Sequence, residues 1–277
     1  MSDSTNRTAL VTGASAGIGL HYARVLAENG FDLVLTARRK DRLDELAAEL
    51  TAAHQIAVHC FAHDLSDPQT PQKLADDIEQ AGLQIDFLLN NAGYTVPGGF
   101  DMARWEAQAD LLQVMLTAPS KLVHIFGPHM RKRGYGRIVN VASVAGLIPG
   151  VPNGTLYGPI KSYVVKFSQA LYSEYKQYGV HVQALCPGFV YTEFHDVAGN
   201  RAIMDKMPKY MWLDGDAICR ESFRRVMDNA GPVYVMGGFY KALCYLVNLL
   251  PLRWSIAMLS RQNRNESPLP QHMRNDL

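Results

Sequence analysis

The chain has few cysteines, a modest and balanced charge, and no long apolar run. Its four cysteines, among 277 residues, show no CxxC spacing, so they form neither a zinc pattern nor a compact disulfide framework. Lys and Arg together number 27 and Asp and Glu 26, which leaves no basic excess of the kind that favours nucleic acid. No stretch of about 18 uncharged apolar residues occurs, and this argues against a membrane-spanning helix.

Further absences narrow the class of protein. The histidines show no ligand spacing, so we expect no metal site. Residues 1–6 are polar and lack the apolar core of a signal peptide, which leads us to expect a cytoplasmic protein with reduced thiols. Hydrophobic residues make up 48% of the chain, which is ample for one large core and excludes disorder as the overall state.

Short apolar runs alternate with amphipathic segments along most of the sequence. Because strands that alternate with helices form right-handed βαβ crossovers, this order predicts a buried parallel sheet. We expect an α/β fold with a single domain over residues 1–277: a Rossmann-type doubly wound parallel sheet with helices on both faces. Residues 189–277 would form the substrate side and an apolar C-terminal helical extension, with a helix at 192–207. The predicted strands lie at 8–12, 32–36, 56–61, 86–90, 136–142, 180–185 and 233–235.

A glycine-rich turn connects the first predicted strand to the first helix. Its spacing is GxxxGxG, formed by Gly13, Gly17 and Gly19. Glycines let backbone N–H groups approach a pyrophosphate closely, and the dipole of the following helix adds to the attraction. An ordinary loop is the alternative, which the position between strand and helix disfavours. The residues expected to contact a dinucleotide here are Gly13, Ser15, Ala16, Gly17, Ile18 and Gly19.

Two arginines follow the second predicted strand, where the adenosine ribose of a dinucleotide should lie. A protein specific for NAD usually places a carboxylate at this point. Here the sequence has Arg38 and Arg39, whose planar guanidinium groups pair well with phosphate. The pattern therefore favours the 2′-phosphate of NADP(H). For Arg39, the start of a solvated charged helix is a plausible alternative.

Three polar residues form a candidate catalytic set near the fifth strand. Ser143 ends that strand, and Tyr157 and Lys161 follow on one helix face through their i,i+4 spacing. A phenol is a poor acid or base near neutral pH unless a neighbouring cation lowers its pKa, and we expect Lys161 to do so. Ser143 would hydrogen-bond a substrate carbonyl.

With these motifs the chain resembles the short-chain dehydrogenase/reductase family over about residues 6–194. The resemblance implies that Tyr157 exchanges the proton, that Ser143 holds the carbonyl oxygen and that Lys161 also binds the nicotinamide ribose. Tyr157 and Lys161 would thus belong to the cofactor site as well. The other cofactor contacts that it implies are Asp64, Leu65, Asn91, Ala92, Gly93, Pro187, Gly188, Val190 and Thr192.

One departure from the family pattern concerns the proton relay. Many members carry an Asn in the long helix, 28 residues before the catalytic Ser, and here that position is Met115. We expect an NADP(H)-dependent oxidoreductase that transfers hydride between nicotinamide and a small-molecule carbonyl or secondary alcohol, with an apolar ketone as the substrate. The alternative is a cofactor-binding protein with little turnover, acting as a sensor or structural subunit.

The C-terminal tail carries an apolar stripe at near-helical spacing. The stripe should bury against the domain or against a second copy of the chain, giving a homodimer or homotetramer. Contact with a membrane surface through residues 239–259 is the less favoured alternative. The members of the stripe are Phe239, Leu243, Leu246, Leu249 and Leu250.

Overall fold

The computed structural model describes residues 7–96, 98–150, 152, 155–191 and 208–263, with side chains through residue 259. Each of the seven predicted strands is present, with ends shifted by at most two residues. The strands are β1 (Thr8–Thr12), β2 (Asp32–Ala37), β3 (Val58–Ala62), β4 (Ile85–Asn90), β5 (Gly136–Val141), β6 (Val180–Cys186), β7 (Phe189–Val190), β8 (Trp212–Leu213) and β9 (Val233–Val235).

Seven of these strands form one parallel sheet, in the order β3-β2-β1-β4-β5-β6-β9. The short strands β7 and β8 pair separately. Helices link the strands and follow them toward the C-terminus. They are α1 (Gly17–Glu28), α2 (Lys40–His54), α3 (Thr70–Gln80), α4 (Trp105–Leu112), α5 (Ala118–Arg133), α6 (Tyr157–Tyr175), α7 (Gly215–Met227), α8 (Gly238–Leu249) and α9 (Leu252–Asn263).

Helices cover both faces of the sheet because its central strands are apolar on both sides. On one face, Leu26 of α1 and Leu43 of α2 are buried in a common core with inward-facing strand residues. On the other, Leu74 of α3 and Leu122 of α5 belong to a second core. Burying a leucine stabilises a fold by about 1.5–3 kcal/mol, so these two layers hold the sheet and fix its edges. The doubly wound parallel sheet predicted from the alternation is confirmed.

The order of the strands reverses between β1 and β4, and this creates a crevice at their carboxyl ends. Chain connections leave the sheet in opposite directions from such a point, and open α/β sheets bind ligands there. Thr12 lies opposite Thr36 of β2 at one side of the crevice. Val11 lies opposite Leu89 of β4 at the other. The glycine turn and the residues after β4 therefore meet at one edge.

The helical segment between β4 and β5 is interrupted. A turn of π-helix, Gln113–Thr117, separates α4 from α5. Such turns insert one extra residue into the helical ladder and often occur at functional sites. Met115 lies in this turn and is buried, with 3% of its surface exposed.

The tail forms helices on both sides of Pro251, as its periodicity indicates. Of the two expected coverings of the stripe, the domain is wrong for most of its members, and a second copy of the chain stays a prediction. Leu246 is 58% exposed and Leu249 is 63% exposed. Tyr240 and Val247, one stripe further round α8, are the residues of this helix buried against the domain. The predicted helix at 192–207 lies outside the described residues. None of the described helices is both long and apolar enough to cross a membrane.

Candidate active site

The glycine turn is held in place by hydrogen bonds from the end of β4. Asn91 donates from Nδ2 to the carbonyl oxygens of Thr12 (2.9 Å) and Gly13 (3.2 Å). The Thr12 hydroxyl accepts the backbone N–H groups of Asn91 (2.9 Å) and Ala92 (3.1 Å) and donates to the carbonyl of Leu89. This reciprocal set joins the two strands across the crevice, so the turn has a fixed shape.

Two of the glycines are required by the space around them. Gly13 has φ +66°, and a Cβ there would lie 2.9 Å from the Cα of Ala92. A Cβ on Gly19 would collide with the carbonyl oxygen of Gly13 and with the Asn91 amide. Any larger residue would push the turn away from the sheet, so glycine at both positions keeps the backbone close to the crevice.

The N-terminus of α1 presents the chemistry that a pyrophosphate needs. Gly17 opens the helix at φ +57°, and the preceding Ala16 makes no side-chain cap. The first turn of the helix contains no acidic residue. Backbone N–H groups and the helix dipole there attract an anion. Ser15 and Ile18 flank this end, so the residues present fit the diphosphate of a dinucleotide.

The two arginines after β2 lie beside the same turn. Both Arg38 and Arg39 are exposed. The Arg39 guanidinium donates to the Ser15 hydroxyl over 3.2 Å, which brings a cation onto the glycine turn itself. The contact places the Arg39 side chain against the glycine turn.

Asp64 and Leu65 follow β3, next to the same edge. Asp64 is exposed, and one of its carboxylate oxygens accepts the N–H of Ser66 over 3.0 Å. Leu65 is buried and belongs to an apolar cluster with Met115. Asp64 is therefore accessible to a ligand at the surface, whereas Leu65 is part of the apolar core next to it.

Ser143, Tyr157 and Lys161 come together at the carboxyl end of β5. The Ser143 hydroxyl accepts the N–H of Ala145 over 3.1 Å and also hydrogen-bonds the Tyr157 phenol. Lys161 is buried, and its Nζ donates to the carbonyl of Val141 over 2.7 Å. A Cβ on Gly146 would lie 2.5 Å from the backbone of Lys161, so glycine lets the turn after Ser143 pack on α6.

Burial governs the protonation of the two titratable members of this set. Desolvation raises the pKa of Tyr157 to about 12, and the hydrogen bond with Ser143 opposes that rise. Desolvation also lowers the pKa of Lys161 to about 8. The expected lowering of the Tyr157 pKa by Lys161 is therefore wrong for this structure. The ammonium lies 5.5 Å from the ring centroid, and loss of water around the phenol is the largest influence on its pKa.

A small cavity lies behind the catalytic set. Its volume is about 20 Å³, and Asn90, Met115 and Lys161 are among the residues that line it. Asn90 donates from Nδ2 to Asn140 over 2.8 Å, while its buried Oδ1 accepts no hydrogen bond from the described part of the protein. The lining is mostly apolar, but Thr12, Asn90, Asn140 and Lys161 contribute polar groups, and a cavity of this size with such groups fits one water molecule. The Met115 side chain packs on Gly93, where a Cβ would lie 3.3 Å from its Cε.

The turn after β6 is clamped from below by the C-terminal helix α8. A Cβ on Gly188 would collide with the ring of Tyr240. The Tyr240 hydroxyl accepts the N–H of Phe189 over 3.0 Å and donates to the carbonyl of Met211. Tyr240 was not expected from the sequence, because it lies 52 residues beyond Gly188 and off the stripe chosen for the tail.

Three further residues expected to contact the cofactor, Pro187, Val190 and Thr192, follow β6 in the sequence. The Pro187 carbonyl accepts the N–H of Val144 over 3.0 Å, which ties the turn to the residue after Ser143. Val190 is buried in β7, where it pairs with Leu213. Thr192 lies outside the described residues. The sites expected from three separate stretches of sequence thus converge on one edge of the sheet.

Comparison with known proteins gives consistent relatives. The sequence profile described as short chain dehydrogenase matches residues 7–201. A very-long-chain 3-oxoacyl-CoA reductase of Homo sapiens is 34% identical over 189 residues, which are 67% of this chain and 60% of that protein. Sulfoacetaldehyde reductase 2 of Chromohalobacter salexigens is 34% identical over 205 residues, 72% of this chain and 79% of that protein. The chain spans about three fifths of the length of the oxoacyl-CoA reductases.

Solved structures extend the similarity to almost the whole chain. A short-chain dehydrogenase from Sphingobium yanoikuyae in complex with NADPH has a TM-score of 0.77 at 30% identity, covering 96% of this chain and 98% of that one. A bulky-bulky ketone specific alcohol dehydrogenase from Comamonas testosteroni has a TM-score of 0.72 at 26% identity, covering 95% and 97%. Sequence profile, relatives and architecture agree: the chain belongs to the short-chain dehydrogenase family.

Proposed function

We propose that the chain is an NADP(H)-dependent oxidoreductase that transfers hydride between nicotinamide and a carbonyl or secondary alcohol. The observation that carries this proposal is the Ser143–Tyr157 hydrogen bond, with Lys161 buried behind it, at the sheet edge that also holds the glycine turn. NADPH, when bound, supplies the hydride. The chain's own residues have to orient the carbonyl and deliver the proton.

The protonation states support reduction as the favoured direction. A phenol with a pKa of about 12 keeps its proton at neutral pH, so Tyr157 can donate it to a carbonyl oxygen as a general acid. The Ser143 hydroxyl lies within hydrogen-bonding reach of the same phenol and can hold the same oxygen. Lys161, still mostly protonated at pH 7 with a pKa of about 8, can stabilise the phenolate left behind.

The proton lost by Tyr157 can be replaced through the cavity behind the set. A water there would have Asn90 Oδ1 as an acceptor and the Lys161 ammonium as a donor among the lining groups. Neither of these groups depends on the side chain at position 115. The backbone carbonyl of Met115 is a further acceptor that the substitution leaves in place. An enzyme without the relay Asn is therefore chemically reasonable.

The choice of NADP(H) rests on the charge beside the glycine turn. Arg38 and Arg39 place two cations after β2, and Arg39 already contacts Ser15. A charge-assisted hydrogen bond to phosphate contributes about 1.5–3 kcal/mol. The complex of the Sphingobium yanoikuyae relative with NADPH agrees with this choice.

An apolar ketone suits the aromatic residues next to the nicotinamide turn. Tyr191 stacks on Trp212 with ring centroids 4.0 Å apart, and Phe189 meets the same indole at 5.9 Å. Flat apolar surfaces of this kind favour a substrate with bulky hydrocarbon groups. The bulky-ketone specificity of the Comamonas testosteroni alcohol dehydrogenase points the same way. A cytoplasmic location and a homodimer or homotetramer remain predictions.

The experiment that tests the proposal is a turnover assay with apolar ketones of graded size. Oxidation of NADPH is followed by its absorbance, and NADH is assayed in parallel. We expect turnover of at least one bulky ketone, with NADPH preferred. Tight cofactor binding without turnover of any ketone or alcohol would instead support the alternative of a cofactor-binding sensor or structural subunit, to which Met115 points.

A further inference from the structure

The two C-terminal helices form a hairpin whose outer side is apolar and exposed. We use the name hairpin for residues 238–259, which comprise α8, the break at Pro251 and the described side chains of α9. On either side of the break, Leu249 is 63% exposed and Leu252 is 65% exposed. The exposed apolar side chains of the hairpin are Phe239, Tyr245, Leu246, Leu249, Leu250, Leu252, Trp254, Ile256 and Met258. A continuous set of this size on a protein surface marks an interaction site.

The inner side of the hairpin is fixed, so the exposed face has a defined shape. Tyr240 and Val247 are buried against the domain. The Asn248 side chain donates to the carbonyl of Leu147 over 2.8 Å, and the Ser255 hydroxyl donates to the carbonyl of Val247 over 2.7 Å. These bonds join α8 to the turn after β5 and α9 to α8. The outward apolar side chains therefore lie on a hairpin whose inner side is fixed to the domain.

The charged side chains of the hairpin itself have one sign, and Glu221 of α7 is an acidic neighbour of Lys241. No Asp or Glu occurs between residues 229 and 265, whereas Lys241 and Arg253 lie within the hairpin. Arg253 lies over the ring of Trp254, 5.9 Å from its centroid. A second copy of the chain seated symmetrically on this face would bring these cations together, which disfavours self-association through the hairpin. An anionic surface would instead complement them.

We propose that the hairpin docks on the surface of an anionic lipid bilayer. An interfacial helix combines apolar side chains that enter the acyl boundary with aromatic rings and basic groups at headgroup level. In the hairpin, Leu249, Leu250 and Leu252 form the inserting tip. Tyr245 and Trp254 lie beside it, as interfacial aromatics do.

Docking would bring the active site close to the bilayer. The hairpin contacts Leu147, four residues after Ser143, and its Tyr240 supports the Gly188 turn. A ketone dissolved in lipid would then reach the substrate side without crossing bulk water. This consequence rests on the proposed function, whereas the docking itself does not and is tested without turnover.

The test is co-sedimentation of the full chain with vesicles. One set is made of phosphatidylcholine alone and the other contains about 30 mol % phosphatidylserine. We expect binding to the anionic vesicles to exceed binding to the neutral ones by about tenfold, and high salt to weaken it. The variant L249E/L252E should reduce binding by about tenfold or more, because two carboxylates would have to enter the acyl boundary.

Matched controls separate docking from general stickiness or misfolding. Trp105→Glu changes a side chain that is equally exposed, at 63%, but lies on α4, and it should leave vesicle binding unchanged. Quenching of Trp254 fluorescence by brominated lipid should be lost in Trp254→Phe and retained in Trp105→Phe. Thermal unfolding and NADPH binding should be unaltered in L249E/L252E, since its positions face outward.

Three results would overturn the proposal. The first is an absence of sedimentation with either vesicle. The second is binding that L249E/L252E leaves intact. The third is a dimer that dissociates in this variant while vesicles fail to compete for the face, which would make a second copy the occupant. None of these results depends on catalysis, so failure of the proposed reaction and failure of docking are distinguishable.

Discussion

The carboxyl edge of the sheet and the C-terminal hairpin differ in the kind of side chain that each buries and exposes. At the edge, polar groups are buried and most have a partner within the chain, as Asn91, Thr12 and Lys161 do. In the hairpin, apolar groups are exposed and have no such covering. Buried polar groups cost free energy unless they are hydrogen-bonded, so contacts within the chain account for the conformation of the edge. The hairpin surface is explained only by something outside the protomer.

Apart from loss of the Tyr157 phenol itself, the largest expected effect comes from removing the buried ammonium of Lys161. Lys161→Met should lower the rate of ketone reduction by about 10²–10⁴, because the charge opposite the phenolate and the donor to the relay are both lost. The exposed Lys166 of the same helix provides the control, and Lys166→Met should keep the rate within about twofold. An equal loss in both variants would contradict a catalytic role. Steady-state kinetics with saturating NADPH measures the difference.

The same lysine predicts a pH dependence of stability. Its pKa is about 8 in the fold against 10.5 for an ordinary lysine, so between these values the unfolded chain holds more protons. The free energy of unfolding should therefore gain a rising contribution from about pH 8 to 10.5, worth at most about 3 kcal/mol. Urea unfolding at several pH values measures it. In Lys161→Met that rise should vanish, and its persistence would show that another group is responsible.

Cofactor discrimination is the next effect in size. The unmodified chain should bind NADPH at least about tenfold more tightly than NADH, through charge-assisted contacts with the 2′-phosphate. Arg39→Ala and Arg38→Ala should each shrink that gap, while Lys40→Ala, whose ammonium pairs with Asp44, should not. Fluorescence titration of each variant measures both dissociation constants. Equal affinities for the two cofactors in the unmodified chain would count decisively against the assignment.

Tyr240 belongs to the hairpin and supports the Gly188 turn at the carboxyl edge, so it links the two regions. Tyr240→Phe keeps the ring beneath Gly188 but removes the hydroxyl that accepts the half-buried N–H of Phe189 and donates to the Met211 carbonyl, and the two lost hydrogen bonds cost about 1–3 kcal/mol in unfolding free energy. We expect a several-fold rise in KM for NADPH with a smaller change in the rate. The matched control on the same helix is the exposed Tyr245→Phe. Unchanged KM and stability would show that the clamp has no role in holding the turn.

The smallest effect concerns Met115. Met115→Asn should leave the rate of reduction similar or raise it, within about threefold, because the relay groups are already present around the cavity. The amide would enter an apolar cluster with Leu65 and Leu111, so a loss of about 1–3 kcal/mol in stability is expected. A rate increase of two orders of magnitude would instead show that the native relay is broken. Paired kinetic and thermal measurements distinguish these outcomes.

The sequence is most informative where a local rule acts. The strands, the glycine turn and the Ser143–Tyr157–Lys161 set are predicted because alternation, glycine spacing and i,i+4 geometry are short-range signals. Long-range effects are not predicted. The Gly188–Tyr240 contact joins residues 52 positions apart, and the pKa of Tyr157 depends on how much water the whole fold removes.

The tail shows the limit of periodicity. Apolar residues occur on more than one side of α8, so spacing alone does not decide which side faces the domain. Tyr240 fits beneath Gly188, where no Cβ interferes, and this contact sets the rotation of the helix. The leucines that follow it in sequence then point outward. The π-helical turn at Gln113–Thr117 is missed for a related reason, since its residues are also compatible with an α-helix.

The most direct test of the central claim, that the carboxyl edge is a catalytic site with Tyr157 as its proton donor, is a single-turnover measurement on Tyr157→Phe. The variant is saturated with NADPH and mixed rapidly with a ketone that the unmodified chain reduces. We expect NADPH to bind as before and its oxidation to slow by at least about 10²–10⁴, because the phenylalanine has no proton to donate. An unchanged rate of NADPH oxidation would contradict the account, since the proton would then have to come from elsewhere.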